Sequence, residues 1–253
     1  MSKDSISREY LNITKHKYLS GPYGPPARRR TLVVGTKQGN IGYEIWQVLD
    51  YQGHTVEAIE HTDCDAADLE TLVELERYDT IIFNNGETHL DWIEDQPSWK
   101  IHDVVYNSLT ATMVGTSQFV KHTLNKPYKK HIVFIGSMAY KNVLNGSAPY
   151  CAAKAGLAMF TRCMAWELAP KNYDVFCVHP SNVENSPMSE ETVLGLMRFR
   201  GLSRQEAEEY WSASLPRSNW LQKGDIADTV SYVVSGEAAY MSGTNIDLAG
   251  GQR

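Results

Sequence analysis

Short apolar runs rich in β-branched and aromatic residues recur along the chain from residue 31 onward, separated by longer segments of mixed polarity. A run of about four to eight such residues, bounded by turn-forming residues, is typical of a buried strand. The pattern predicts strands at residues 31–34, 55–60, 80–83, 131–135, 174–178 and 245–248.

The longer segments between these runs carry apolar residues at helical spacing. They predict helices at residues 43–51, 68–78 (amphipathic), 99–121, 149–168, 190–211 and 225–235. Strands that alternate with helices favour an α/β fold with a doubly wound parallel sheet covered on both faces. We therefore predict one domain over residues 31–253, preceded by an N-terminal extension, residues 1–30, that contains a Gly/Pro-rich stretch.

The composition narrows the classes of partner. The chain has 253 residues and a net charge of −6, which argues against nucleic acid or an acidic membrane as a partner. Its four cysteines have neither the spacing of metal ligands nor that of a disulfide framework, so we expect reduced thiols and no metal site. Neither a signal peptide nor a membrane-spanning run is visible, and we expect a cytoplasmic protein.

Glycines follow the first predicted strand, at Gly35, Gly39 and Gly42. Glycines at a strand-to-helix turn let the backbone approach a diphosphate, which the free N–H groups of the helix can then bind. This pattern predicts a dinucleotide site. On the glycines alone, a tight turn without a ligand remains an equally good interpretation.

Glu60 ends the second predicted strand, 18 residues after Gly42. A carboxylate near this position can hold the adenosine ribose hydroxyls of NAD, and it would repel the additional phosphate of NADP. The residue thus favours NAD over NADP. The alternative is a solvent-exposed carboxylate at the end of a strand.

Tyr150 and Lys154 are four residues apart on a predicted helix and share one face of it. A tyrosine hydroxyl has an ordinary pKa of about 10, and a nearby ammonium group would lower that pKa by stabilising the phenolate. Such a tyrosine can exchange a proton with a substrate hydroxyl while hydride passes to or from a nicotinamide. The spacing alone occurs readily by chance, so other residues must support this interpretation.

Further segments match a known family in the order in which that family has them. The chain resembles the short-chain dehydrogenase/reductase family in its compact single-domain form, from about residue 31 to residue 251. The resemblance implies a Rossmann-type fold and an enzyme that uses NAD or NADP. The matching segments are Ile-Ile-Phe-Asn-Asn-Gly at 81–86, Val-Val-Tyr-Asn at 104–107, Ile-Val-Phe-Ile-Gly-Ser at 132–137, the stretch 150–156, Val-His-Pro-Ser-Asn-Val at 178–183, and the C-terminal segments 224–227, 242–243 and 247–251.

The resemblance also implies roles for single residues. Ser137 would hydrogen-bond the substrate oxygen, Tyr150 would transfer the proton, and Lys154 would tune Tyr150 and bind the nicotinamide ribose. Asn107 would hold a water molecule that connects Lys154 to solvent. Residues that would contact the cofactor, besides Tyr150 and Lys154, are Gly35, Gly39, Ile41, Gly42, Glu60, Asp65, Asn84, Asn85, Gly86, Pro180 and Val183.

The sequence departs from the family pattern at four places. Val34 stands where threonine is usual, and Gly42 falls one residue late. The interval between Glu60 and Asp65 is too short for the strand and helix that the family has there, so one strand-helix unit is predicted to be missing. Glu87 replaces a glycine and would either bind a polar group or point to solvent. Ser181 replaces a glycine, and the segment 185–188 is one residue longer than usual.

These features predict an oxidoreductase that transfers hydride between a nicotinamide cofactor and a secondary alcohol/ketone pair. The alternative is a non-catalytic cofactor-sensing or scaffold protein on the same fold. An enoyl reductase is disfavoured, because that group spaces its tyrosine and lysine seven residues apart. We expect residues 138–149 and 186–220 to select the substrate, the latter as a largely apolar lid. The alternative is that the apolar residues of 186–220 pack a helix pair onto the body of the domain. The family habit of pairing through the helices at 99–121 and 149–168 implies a homodimer or homotetramer.

Overall fold

A computed structural model describes residues 28–60, 65–213, 215–216 and 220–252 of the protein. Most of the predicted N-terminal extension, residues 1–27, therefore lies outside the described residues. The strands are β1 (Arg30–Val34), β2 (Thr55–Ile59), β3 (Thr80–Phe83), β4 (Lys130–Ile135), β5 (Tyr173–Pro180) and β6 (Asn245–Leu248). Every predicted strand is present, with bounds that differ by at most two residues.

The described strands form one sheet in the order β2-β1-β3-β4-β5-β6, and all neighbours are parallel. The chain leaves β1 toward β2 and then returns to the opposite side of β1 as β3. In an open α/β sheet, ligands bind in the crevice at such a reversal, beyond the carboxyl ends of the strands. The predicted doubly wound fold is confirmed. The crevice between β1 and β3 is therefore the expected position of a ligand site.

The helices are α1 (Ile41–Tyr51), α2 (Leu69–Leu72), α3 (Ser98–Val105), α4 (Ala111–Thr123), α5 (Ala148–Leu168), α6 (Pro187–Arg200), α7 (Arg204–Ser212) and α8 (Lys223–Val234). They cover both faces of the sheet. Alternate residues of each strand point to opposite sides, so the sheet has two apolar faces that the helices bury. Leu32 and Val34 belong to the core on one face, and Val33 to the core on the other. Buried residues of α4 and α5 complete the first core, and those of α1 and α8 complete the second.

The predicted amphipathic helix at 68–78 is wrong. The segment forms the single turn of α2 and then a 3-10 turn, Leu75–Arg77, with Val73 extended between them. Leu69 and Leu75 are both fully buried in the same core. In a continuous helix these two residues would point about 120° apart, so the break lets both reach that core.

Two longer predicted helices are interrupted. A π-helical turn, Tyr106–Thr110, separates α3 from α4 within the predicted helix 99–121. The predicted helix 190–211 is divided at Gly201, whose positive φ of 68° ends α6, and Ser203 with Glu206 forms a capping box that starts α7.

The predicted loss of one strand-helix unit is confirmed for the described residues. Between β2 and β3 these residues hold α2 and the 3-10 turn but no strand, and β2 is the edge of the six-stranded sheet. Asp65 is therefore close in sequence to the end of β2. None of the described helices is long and apolar enough to cross a membrane.

Candidate active site

Two cavities open at the carboxyl ends of the strands. The first, the glycine-turn cavity, has a volume of about 410 Å³. The second, the Tyr150 chamber, is lined by Ser137, Tyr150 and Met188 among others and has a volume of about 430 Å³. Both volumes are ordinary for small-molecule and cofactor sites.

The structure places most of the predicted site residues in one or other of these cavities, whereas Lys154 is buried and lines neither of them. The Tyr150 chamber is lined by Ser137 and Tyr150 together with Ile41, Pro180 and Val183. Gly39 instead lines a neighbouring surface cavity, and Gly42 packs so closely against the Gly35 carbonyl that a side chain would not fit. The predicted residues in the glycine-turn cavity are Gly35, Glu60, Asp65, Asn84, Asn85, Gly86 and Asn107.

The glycine turn contains an additional residue, Asn40, that the sequence reasoning did not assign. Its side-chain oxygen accepts a hydrogen bond of 2.9 Å from Tyr43 N and so caps α1, while its Nδ2 donates to Gly35 O at 2.9 Å. Gly35 and Gly39 have positive φ angles of 86° and 87°. An asparagine directly before a predicted helix is a recognisable capping signal. The late position of Gly42 is thus explained by a cap that also closes the turn.

Asn84 and Asn85 connect the turn to the neighbouring strand. Because Val34 pairs with Phe83, Gly35 and Asn84 leave the sheet side by side. Asn84 Nδ2 donates to Gly35 O at 2.8 Å, and Asn85 Nδ2 donates to Asn107 O at 2.8 Å. Asn85 Oδ1 is buried without a partner in the described part of the chain. Since buried polar atoms are normally paired, a bound group with a hydrogen-bond donor fits this cavity.

The lining of the glycine-turn cavity carries charges of both signs. Glu60 and Asp65 line it, and so does Lys37, a cation that the sequence reasoning did not single out. Asp65 accepts hydrogen bonds from Tyr106 OH at 3.0 Å and from Ala67 N at 2.9 Å. These residues fit a nucleotide with ribose hydroxyl groups, because carboxylates accept such hydrogen bonds.

Tyr150 and Lys154 lie on α5 and are only 5% and 2% exposed. Burial raises the pKa of Tyr150 to about 12, and a hydrogen bond with Ser137 offsets part of that increase. Burial also lowers the pKa of Lys154 to about 8. Both shifts have one cause, because desolvation disfavours the charged form of either group.

Lys154 is not among the groups that shift the pKa of Tyr150 in this arrangement, and its role in tuning Tyr150 stays a prediction. Lys154 Nζ lies 5.6 Å from the centre of the Tyr150 ring and donates to Ile135 O at 3.0 Å, which turns its charge toward the end of β4. Tyr150 is consequently a neutral phenol over the physiological pH range. A neutral phenol can donate a proton to a substrate oxygen.

The backbone of Ser137 is hydrogen-bonded to a buried histidine, His179. Ser137 follows β4, and Ala139 N donates to its hydroxyl oxygen at 3.2 Å. His179 Nδ1 lies 3.2 Å from Ser137 N and 3.0 Å from Ser137 O, while Nε2 lies 2.9 Å from Asn245 Oδ1. Burial lowers the pKa of His179 and keeps it neutral. A side chain at Gly136 would overlap the imidazole, so glycine is required there.

Asn107 lies in the π-helical turn and is bound at both its ends. Its Nδ2 donates to Glu87 Oε2 at 2.7 Å, and its carbonyl accepts from Asn85. Glu87 also forms an ion pair with Lys100, and both side chains are less than one-third exposed. Glu87 therefore binds polar groups of the protein itself, which resolves the two alternatives left open by the sequence.

The described residues contain no cluster of three or more histidine, cysteine, aspartate or glutamate side chains that could hold a metal ion.

Known proteins are similar to this chain in sequence and in fold. Residues 60–195 match the family described as short chain dehydrogenase. The 3-oxoacyl-[acyl-carrier-protein] reductase of Escherichia coli (strain K12) is 25% identical over 89% of this chain and 88% of its own length. A benzil reductase ((S)-benzoin forming) of Bacillus cereus is 41% identical over 83 residues, 33% of each chain. The actinorhodin polyketide ketoreductase, solved with NADPH as a single-substitution form, superimposes with a TM-score of 0.78 at 25% identity, over 89% of this chain and 97% of its own.

The sheet and the crevice at its carboxyl edge, together with these relatives, define a nicotinamide-dependent oxidoreductase. The matched segment spans more than half of the chain, and the protein belongs to the short chain dehydrogenase family. It transfers hydride between NAD(P) and an alcohol/ketone pair.

Proposed function

We propose that the protein reduces ketones, or oxidises the corresponding secondary alcohols, with Ser137, Tyr150, Lys154 and Asn107 as its working residues. The observation that carries this proposal is the Tyr150 chamber, where the Ser137 and Tyr150 side chains lie beside Ile41, Pro180 and Val183. A ketone oxygen that reaches both hydroxyls can be polarised by one and protonated by the other.

The proposed mechanism assigns one task to each side chain. Ser137 donates a hydrogen bond to the substrate oxygen, and His179 keeps the Ser137 backbone in place. Tyr150 gives its proton to the oxygen as the carbonyl becomes an alcohol, and Lys154 supplies positive charge behind it. Lys154 then returns a proton to the Tyr150 phenolate, and Asn107 belongs to the path by which solvent replaces the proton of Lys154. When bound, the nicotinamide cofactor supplies the hydride to the carbonyl carbon.

The test of this mechanism is Tyr150→Phe, which removes only the hydroxyl. We expect kcat to fall about 10²- to 10⁴-fold, while the Kd for the cofactor remains nearly unchanged. Loss of cofactor binding with unchanged residual turnover would contradict the assignment of Tyr150. The non-catalytic alternative predicts that the wild-type protein turns over no ketone or alcohol with either cofactor.

We propose NAD as the preferred cofactor, with Glu60 accepting hydrogen bonds from the ribose. Lys37 lines the same cavity and would attract the phosphate of NADP, so the preference depends on the balance of the two charges. Titration of the protein with NADH and NADPH measures that balance. Tighter binding of NADPH would exclude the preference, and Glu60→Gln is expected to shift the ratio toward NADPH.

We propose a homodimer or homotetramer that forms through the outer face of α5. Met159, Cys163 and Trp166 lie on one face of that helix, and Trp166 is 85% exposed. Sedimentation velocity should give an assembly that Trp166→Glu dissociates into monomers. A wild-type monomer at micromolar concentration would contradict this proposal.

We propose that residues 31–253 form the catalytic domain and that the protein is cytoplasmic. The three described cysteines, Cys151, Cys163 and Cys177, are free thiols, as expected of a reducing compartment. Cell fractionation tests the location, and a chain that starts at residue 28 tests whether the catalytic domain folds without the extension.

A further inference from the structure

Apolar groups make up the larger part of the exposed surface of the Tyr150 chamber. Met138, Met188, Leu144, Tyr210 and Trp211 line it, together with side-chain amides and hydroxyls, among them those of Asn145, Asn182 and Thr192. Thioethers and aromatic rings bind apolar surface with little directional preference. The chamber therefore offers most of its contact area to apolar groups.

Met188 lies against the proton donor itself. The Tyr150 hydroxyl points to Met188 Sδ at a distance of 3.5 Å, and sulfur is only a weak acceptor. The substrate group next to the reacting carbon will consequently contact a thioether. An apolar group gains from this contact, whereas a charged group would lose its water without a counter-charge.

Two cations lie next to the chamber wall without lining it. Lys141 precedes the wall residue Asn142 and pairs with Asp247 at 2.6 Å, and Lys154, 5.6 Å from the centre of the Tyr150 ring, donates to Ile135 O. Within the described part of the chain, the residues lining the chamber carry no formal charge.

On the basis of the proposed ketone chemistry, we infer that the Tyr150 chamber selects an uncharged substrate with an aromatic or bulky aliphatic group directly beside the reacting carbon. Carboxylate, phosphate and other anionic ketones are disfavoured because nothing in the described walls compensates their charge.

A matched pair of ketones tests this inference. Methyl benzoylformate and benzoylformate present the same ring and carbonyl, but only the second carries a negative charge. We expect kcat/KM for benzoylformate to be at least about 100-fold lower. Equal or better turnover of the anion would overturn the inference and leave the ketone chemistry intact. Absence of turnover of every ketone with both cofactors would instead overturn the proposed function.

The charge of the chamber wall can be changed by substitution of Asn142, a half-buried residue that lines it. Asn142→Arg should raise kcat/KM for benzoylformate at least about tenfold relative to that of the ester, since it supplies the missing counter-charge. Asn142→Leu is the neutral control and should leave the ratio unchanged. If both variants change the ratio equally, charge is not the selecting property.

A separate observation concerns Lys223, the first residue of α8. Its Nζ donates to Gly39 O at 2.7 Å and to Asn185 O at 3.2 Å. Gly39 belongs to the glycine turn, and Asn185 belongs to the loop after β5. One ammonium group thus spans two loops that border the cofactor crevice.

We propose that Lys223 is a cofactor-positioning residue, which holds the two loops together and adds positive charge beside the diphosphate. Calorimetric titration with ADP-ribose and with AMP tests this role, because only ADP-ribose carries the diphosphate. Lys223→Met should weaken ADP-ribose binding about tenfold without affecting AMP, and Lys223→Arg should restore it. Equal weakening of both ligands, or of neither, would overturn the proposal.

Discussion

At the scale of single residues, the opposite pKa shifts of Tyr150 and Lys154 determine which of them titrates near neutral pH. Burial raises the pKa of Tyr150 to about 12 and lowers that of Lys154 to about 8. Tyr150 remains protonated across the working range. The protonation state of Lys154 is therefore the one that changes with mild alkalinity.

This difference predicts the pH dependence of ketone reduction. Lys154 carries its charge below pH 8 and loses it above, so kcat/KM is expected to fall as the pH rises through about 8. The decrease should be absent in the residual activity of Lys154→Met. A profile that remains flat to pH 10 in the wild-type protein would contradict a charged Lys154 in the reaction.

At the scale of elements, Glu87 joins the loop after β3 to α3 and to the π-helical turn. It pairs with Lys100 of α3 and accepts a hydrogen bond from Asn107 of the turn. The Glu87 carboxylate thus connects the loop after β3 to α3 and to the π-helical turn that contains Asn107.

Removing this connection should destabilise the protein measurably. Glu87→Ala leaves a partly buried ammonium and an amide without their shared acceptor, and we expect a loss of about 1–2 kcal/mol in the free energy of unfolding. Urea denaturation measures it. Glu74→Ala, which removes an exposed ion pair with Arg77, is the control and should cost less than about 0.5 kcal/mol.

The elements also show how far the sequence could be interpreted. The strands were predictable, because buried parallel strands are nearly continuous apolar runs. The break in the segment 68–78 was not predictable. Its apolar residues have helical spacing, and only the structure shows that Leu69 and Leu75 pack into the same core. The π-helical turn was not predictable either, since the apolar spacing runs through it as through a regular helix.

The candidate site was predictable to a similar extent. The resemblance identified Ser137, Tyr150 and Lys154, and the structure brings them together at the end of β4 and the start of α5. The contacts of His179 and Lys223 were not predictable, because their partners are at least 38 residues away along the chain.

At the scale of the whole molecule, buried histidines couple folding to acidity, and His54 and His131 have larger pKa shifts than His179. Burial lowers the pKa of His54 to about 4 and that of His131 to about 3, mainly by desolvation. Each is neutral in the folded protein, whereas the unfolded chain protonates its histidines near pH 6.5. Their contribution to stability is complete above pH 6.5 and is lost as the pH falls toward 4 and below.

Urea unfolding between pH 7 and pH 4 tests this coupling. The free energy of unfolding should decrease over that interval, by up to about 3 kcal/mol for each histidine. His131→Gln should reduce the slope, and substitution of the exposed His102 should not. An unchanged slope in His131→Gln would show that other groups cause the acid sensitivity.

Asn40 has a consequence for how proteins of this kind are recognised. Asn40, in the turn where Gly42 falls one residue late, accepts a hydrogen bond from Tyr43 N that the start of α1 would otherwise leave open, and it also binds Gly35 O. An insertion accommodated in this way costs little stability and can recur wherever a turn leads into a helix. Searches that require fixed distances between glycines will therefore overlook functional turns, whereas searches that allow one variable position before the helix cap will retain them.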